Sequence, residues 1–247
     1  MGDHFADLNR WFETPLGRRL LSEEACALQQ VLPHLFGYHL LQVGSIGHGY
    51  LLESSRIMHR CILTKSGGAI ISKPYTCVLA LADTIPFAHH SLDVVVLPHI
   101  LEFEENPHEI LREVERILIP EGHLVILGFN PMSLWGLRHW LSNQRKTVPW
   151  CGRFLPLLRI KDWLALLNFE VKQQQTFFFA LPFYRNSMQN YTKFMDKIGL
   201  RWTNNLGAVY MLVAKKRVIT LTPIKPSRWL AQPALVTSTV TSFQENH

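Results

Sequence analysis

Cysteine is sparse in this chain and scattered: Cys26, Cys61, Cys77 and Cys151 make no C-x-x-C pair. With no leader segment beside them, such isolated thiols are expected to be reduced and buried. Long apolar runs are missing too. The greasiest stretch, Phe177-Phe178-Phe179-Ala180-Leu181, is stopped by Pro182, well short of the ~18 residues a membrane-spanning helix needs. The N-terminus shows acid early, at Asp3, and no basic start leading into an apolar core, so no secretory signal is predicted and a cytoplasmic location is expected. Gly2 lacks the downstream Ser or Thr of a myristoylation site. The twelve histidines stand at no metal-ligand spacing with Cys or Glu, and no metal is expected. No internal repeat is present.

Acid is scarce in one half only. Residues 135–247 hold 16 Lys or Arg against 4 Asp or Glu, a net +12, whereas residues 1–134 hold 9 against 15, a net −6; together they give the chain its +6. A basic second half suits an anionic partner, whether a phosphorylated or carboxylated small-molecule substrate, RNA or an anionic membrane surface, and an ordinary solvated basic face is the alternative. With 47 % hydrophobic residues among 247, the chain can bury a real core.

Apolar spacing predicts helix over residues 5–34, with Leu16, Leu20, Leu21, Ala25, Leu28, Val31 and Leu32 on helical positions and Ser22-Glu23-Glu24 offering a second start. The period then changes. Short apolar runs at 38–43, 59–64, 76–80 and 92–97 read as strands, the last being the clearest because it is β-branched and almost wholly apolar, as strands covered on both faces are. Residues 106–119 form an amphipathic helix on Ile110, Leu111, Val114, Ile117 and Leu118, ended by a turn at Pro120-Glu121-Gly122, and a strand follows at 123–127. The alternation predicts an α/β sheet with helices on both faces, whose ligands sit outside the carboxyl ends of the strands. Residues 1–35 read as an N-terminal helical segment, 36–217 as the α/β domain, 131–158 as an excursion or lid, and 218–247 as a loose tail. Within the domain a short helix is expected at 162–168, a sixth strand from Phe169, a helix at 186–200 and a last strand at 207–214.

Three places offer chemistry. Gln42-Val43-Gly44-Ser45-Ile46-Gly47-His48-Gly49 follows the first strand, where glycines let backbone approach a cofactor and a following helix N-terminus favours anions. Its order is G-x-x-G-x-G, not the dinucleotide G-x-G-x-x-G. Ala82-Asp83-Thr84-Ile85-Pro86-Phe87 places a carboxylate just past the third strand, either for a ligand amine or as a turn residue. Pro98-His99 closes the strongest strand, where His99 is a candidate general base or a packed loop histidine.

Taken in order, the glycine loop, Asp83 to Phe87, Ser91-Leu92-Asp93-Val94-Val95 and Leu111-Arg112-Glu113-Val114-Glu115-Arg116-Ile117-Leu118-Ile119-Pro120-Glu121-Gly122 resemble class I S-adenosylmethionine (SAM)-dependent methyltransferases of the type 11 group. Gly128 to Arg138 and Asp162 to Val171 look like the bacterial YafS-like subgroup, extending the likeness to about residue 217. The resemblance implies a Rossmann-like seven-stranded sheet with an antiparallel last strand. It implies SAM as cofactor and S-adenosylhomocysteine as product, over the carboxyl ends of the first four strands. Gly44, Gly47 and Gly49, with Ser45, would border the amino-acid part of SAM, Asp83 and Thr84 its adenine, and Pro98 and His99 its methionine end and the acceptor. Two positions depart from the family. Gln42 stands where an acid usually opens the glycine loop, and the end of the second strand reads Leu63-Thr64-Lys65 with no ribose-binding acid.

Those departures keep a catalytically degenerate binding protein as the alternative to an active enzyme. A nicotinamide dehydrogenase, with Lys65 meeting a 2′-phosphate, fits the shifted glycines poorly. Lys215-Lys216-Arg217 offers a basic run for RNA or a membrane surface.

Overall fold

The strands that read as apolar on both sides are covered on both sides. The computed structural model describes residues 4–65, 74–141, 148–179 and 207–217. Seven strands form one sheet in the order β3-β2-β1-β4-β5-β7-β6. They are β1 (His39–Val43), β2 (His59–Thr64), β3 (Thr76–Leu79), β4 (Leu92–Pro98), β5 (Leu118–Phe129), β6 (Phe169–Phe177) and β7 (Val209–Lys216). The first five run parallel, and β7 is antiparallel to both β5 and β6. This is the doubly wound fold the sequence implied, with the last strand reversed.

Strand alternation splits the core in two. Leu40, Val94, Val96, Val125 and Leu127 face one way and pack with Leu8, Phe12, Leu20 and Leu28 of the N-terminal helices α1 (His4–Phe12) and α2 (Pro15–Gln29). Leu41, Val43, Val95, Leu97 and Leu124 face the other way, onto α3 (Ile100–Phe103), α4 (Pro107–Ile117) and α6 (Leu157–Leu166). The N-terminal helices are therefore one cover of the sheet. Among the described residues, no helix is long and apolar enough to cross a membrane.

Several local expectations shift. Residues 5–34 hold two α-helices, because Thr14 caps a new one: its Oγ1 accepts from the Gly17 N–H, and Pro15 takes the first turn. Ser22 is inside α2, its hydroxyl donating to the Arg19 carbonyl. Pro120-Glu121-Gly122 is no plain turn. Strand β5 already starts at Leu118 beside Leu92, the register shifts between Leu92 and Val94, and Glu121 is left-handed at φ 65°. Helix α6 begins at Leu157, five residues before Asp162, since Pro156 ends the extended segment there. The last strand lies two residues later than expected. Cys26 and Cys77 are exposed, not buried, and all four thiols are free. The expected helix at 186–200 and the tail from 218 lie outside the described residues.

The family-like motifs brace the sheet and the loop after β3. Asp93 Oδ2 accepts from the backbone N–H groups of Tyr38 and His39, both at 2.9 Å, and so fixes the entry of β1 beside β4. Arg116 donates to the carbonyls of Ile85 and Phe87, while Glu113 accepts from the Ile85 N–H. The Arg116 partner, ahead of any burial effect, holds the Glu113 carboxyl below its usual range. Helix α4 thus anchors the loop that carries Asp83.

Candidate cofactor cleft

A cleft opens at the carboxyl ends of β1 to β4, lined by Gly44, Ser45, Leu63, Thr64, Lys65, Ala80, Ala82, Ile100 and Glu104. Apolar walls come from Leu63, Ala80, Ala82 and Ile100, and polar groups from Ser45, Thr64, Lys65 and Glu104. Gly44 lines it at φ +98°, a left-handed conformation in which a side chain is strained.

The glycine loop divides into two roles. Gly44 and Ser45 face the cleft. Gly47 (φ +70°) and Gly49 (φ +98°) serve packing: a Cβ on Gly47 would meet the Leu21 side chain at 3.1 Å, and one on Gly49 would run into the Tyr75 ring. The loop continues as a 3-10 segment, Ile46–Leu52, interrupted by left-handed Gly47, His48 and Gly49. The α-helix N-terminus expected there to favour anions is therefore replaced by a kinked turn.

Gln42 is fully buried and explains its own departure from the acid. Its Nε2 donates to the carbonyls of Gly44 at 2.7 Å and Ile46 at 2.9 Å, and so spans the loop from below. A carboxylate cannot donate. Gln42→Glu is expected to set carboxylate oxygens against two carbonyl oxygens and to cost about 1–3 kcal/mol of stability, read from the urea midpoint. An unchanged midpoint would mean that the loop does not depend on this amide. Ser45 is held from the other side, its Oγ accepting from Asn9 Nδ2 of α1 at 2.8 Å.

Asp83 and Thr84 lie one and two residues beyond Ala82 of the cleft wall and are exposed; the Thr84 hydroxyl donates to Asp83 Oδ1 at 2.8 Å. Pro98 ends β4 beside Leu127 of β5. His99 sits left-handed at φ 52° and is 0 % exposed. Both ring nitrogens are engaged: Nε2 with Glu24 Oε1 at 2.7 Å and Nδ1 with Glu102 Oε2 at 2.9 Å. Burial alone pushes the imidazole pKa down, but the charges and hydrogen bonds of Glu24 and Glu102 outweigh it and push it up to about 10. Glu102 also accepts from the Phe129 N–H. Burial pushes its carboxyl up, opposed mainly by the His99 charge. The cluster joins α2, the end of β4, α3 and the end of β5.

Sequence reasoning missed Glu24, Glu102, Glu104 and Asn9. Glu102 had a signal, being three residues past His99. Glu24 had none, since its contact with His99 spans 75 positions.

The aromatic residues of the 131–158 excursion are mostly core. Trp135 and Trp150 are buried with ring centroids 5.4 Å apart, and Phe129, Phe154 and Phe178 pack around them. The basic run at 215–217 is paired internally. Lys215 and Arg217 meet Glu121, Arg217 also meets Glu170, and Lys216 is buried against Glu115 at 2.8 Å.

Residues 39–126 match the model of the methyltransferase domain family. A curated relative, the uncharacterized protein YafS of Escherichia coli K12, is 34 % identical over 220 residues, which is 88 % of this chain and 85 % of YafS. Among solved structures, a chain of the complex between the Haloferax volcanii Trm112 methyltransferase activator and a methyltransferase superposes with a TM-score of 0.63 at 15 % identity, covering 87 % of this chain and 98 % of that one. A SAM-dependent methyltransferase from Archaeoglobus fulgidus gives 0.58 at 19 % identity, over 79 % and 94 % of the two chains. These distant likenesses speak for the fold.

Proposed function

Because this chain belongs to the SAM-dependent methyltransferases, in the type 11 group and beside YafS, we propose that it binds SAM in the β1–β4 cleft and passes the methyl group directly to a small anionic acceptor. The observation that carries this reading is the cleft itself, a mixed apolar and polar recess lined in part by a left-handed glycine.

The residues present fit the group. Leu63, Ala80, Ala82 and Ile100 suit a flat apolar base, and Asp83 and Thr84, the next residues after Ala82, would take its amine. Gly44 leaves room for the amino-acid part, and Ser45, fixed by Asn9, offers a hydroxyl to it. Thr64 and Lys65 replace the usual acid at the end of β2, so Glu104 is the carboxylate this cleft brings to the ligand among its described lining residues.

When bound, the sulfonium supplies an activated methyl group, and its displacement depends above all on alignment. His99 has no ring nitrogen left to take a proton from an acceptor. It acts as a positioning residue, holding α2 and α3 against the ends of β4 and β5. The anionic acceptor rests on the positive charge of the second half of the chain, to which Arg153, Arg159 and Lys161 contribute beside the inward-paired run at 215–217.

The test is release of S-adenosylhomocysteine from SAM across a panel of carboxylated and phosphorylated small molecules, with neutral amines and RNA as comparison. Turnover with an anionic small molecule is expected. SAM binding without turnover on any acceptor would favour a degenerate binding protein, and turnover confined to amines or RNA would overturn the acceptor class.

A further inference from the structure

Helix α5 (Leu134–Leu141) is apolar on both of its sides. Trp135 and Gly136 face the core. Opposite them, Leu134, Leu137 and Leu141 recur at i, i+3 and i+7, and all three are exposed. Two larger side chains flank the stripe: Met132 is 75 % exposed and Trp140 is 74 % exposed. Five large apolar groups on one short helix and the turn before it form a patch of a kind that normally marks a contact surface.

Charge says what the contact is. Residues 131–166 contain six Lys or Arg and one acid, Asp162. Arg138 belongs to α5 itself, its guanidinium over the Trp150 ring at 5.0 Å. Arg153, Arg159 and Lys161 follow within the described chain. A second copy of this chain would bring the same excess of positive charge against itself, on a protein of net charge +6. An exposed tryptophan and leucines beside basic residues suit the headgroup boundary of an anionic bilayer, where the apolar groups enter the interface and the cations meet lipid phosphates.

We propose that the α5 face, Met132, Leu134, Leu137, Trp140 and Leu141, docks on an anionic lipid surface. The helix follows the carboxyl end of β5, on the same rim of the sheet as the cleft, so docking would bring that rim to the bilayer. The proposal does not depend on methyl transfer.

The test uses the full chain with vesicles of phosphatidylglycerol and phosphatidylcholine against phosphatidylcholine alone, in a co-sedimentation assay over a range of salt. Binding to the anionic vesicles that weakens with salt is expected. The double variant Leu137→Glu, Trp140→Glu changes exposed positions only, and its fold is checked by its urea midpoint. It is expected to bind about tenfold or more weakly, since it removes apolar insertion and adds like charge. Three results would overturn the proposal: no binding by the parent chain, equal binding by the folded double variant, or an α5-dependent dimer in sedimentation with no lipid binding.

Discussion

His99→Ala is expected to destabilise the fold by about 3–5 kcal/mol, because it removes the cation between two buried carboxylates. Glu24 and Glu102 are both fully buried around the ring, and Glu24 Oε2 already has no hydrogen-bond partner among the described residues. Without the imidazolium, each carboxylate must take up a proton or draw in water, and α2 loses its polar tie to the end of β4. Urea unfolding measures the cost. A loss below about 1 kcal/mol would be a surface-like value and would mean that the cluster is not closed.

The same cluster sets a pH dependence. The folded pKa of His99, about 10, lies above its ordinary value of 6.5. Its contribution to stability is therefore complete below pH 6.5 and is lost as pH rises towards 10. Glu102 works in the same sense, since burial raises its pKa and the folded chain keeps its proton longer than the unfolded chain does. Stability should thus decline on the alkaline side, and the His99 ring should stay protonated at neutral pH by NMR. A ring that titrates with the ordinary midpoint of 6.5 would contradict the paired geometry.

Gly44→Val is expected to weaken SAM binding by at least about tenfold, or ~1.4 kcal/mol. Two effects add. The position is left-handed at φ +98°, where a β-branched residue is strained, and the new side chain would enter the cleft wall. The contrast is Gly49→Ala. That change presses on the Tyr75 ring and should lower stability, while the cleft lining remains intact. Calorimetric titration with SAM separates the two. If both variants bound SAM like the parent chain, the ligand would lie elsewhere.

What could be read from the sequence follows from what is local. Strand β4 was legible because Leu92 to Leu97 is buried on both faces and shows it in composition. Helix α4 was legible because its apolar stripe keeps helical period. The break at Thr14-Pro15 was written in the chain as a cap and a first-turn proline, but Ser22-Glu23-Glu24 resembled a cap equally well, and only packing makes it helix interior. The glycine loop shows the limit most clearly. A glycine signals positive φ or close approach without saying what approaches: Gly44 meets the cleft, whereas Gly47 and Gly49 make room for Leu21 and Tyr75. Gln42 looked like a lost acid and is a donor that braces its own loop. The run at 215–217 looked like a free basic patch, yet its partners Glu115, Glu121 and Glu170 come from other elements. Glu24 was invisible for the same reason.

Whether the β1–β4 cleft holds SAM is tested most directly by titration of the intact chain with SAM, with Asp83→Ala and Gly44→Val beside it. A single site is expected, competed by S-adenosylhomocysteine and weakened in both variants. Absence of heat at millimolar SAM, with the chain shown to be folded, would contradict it.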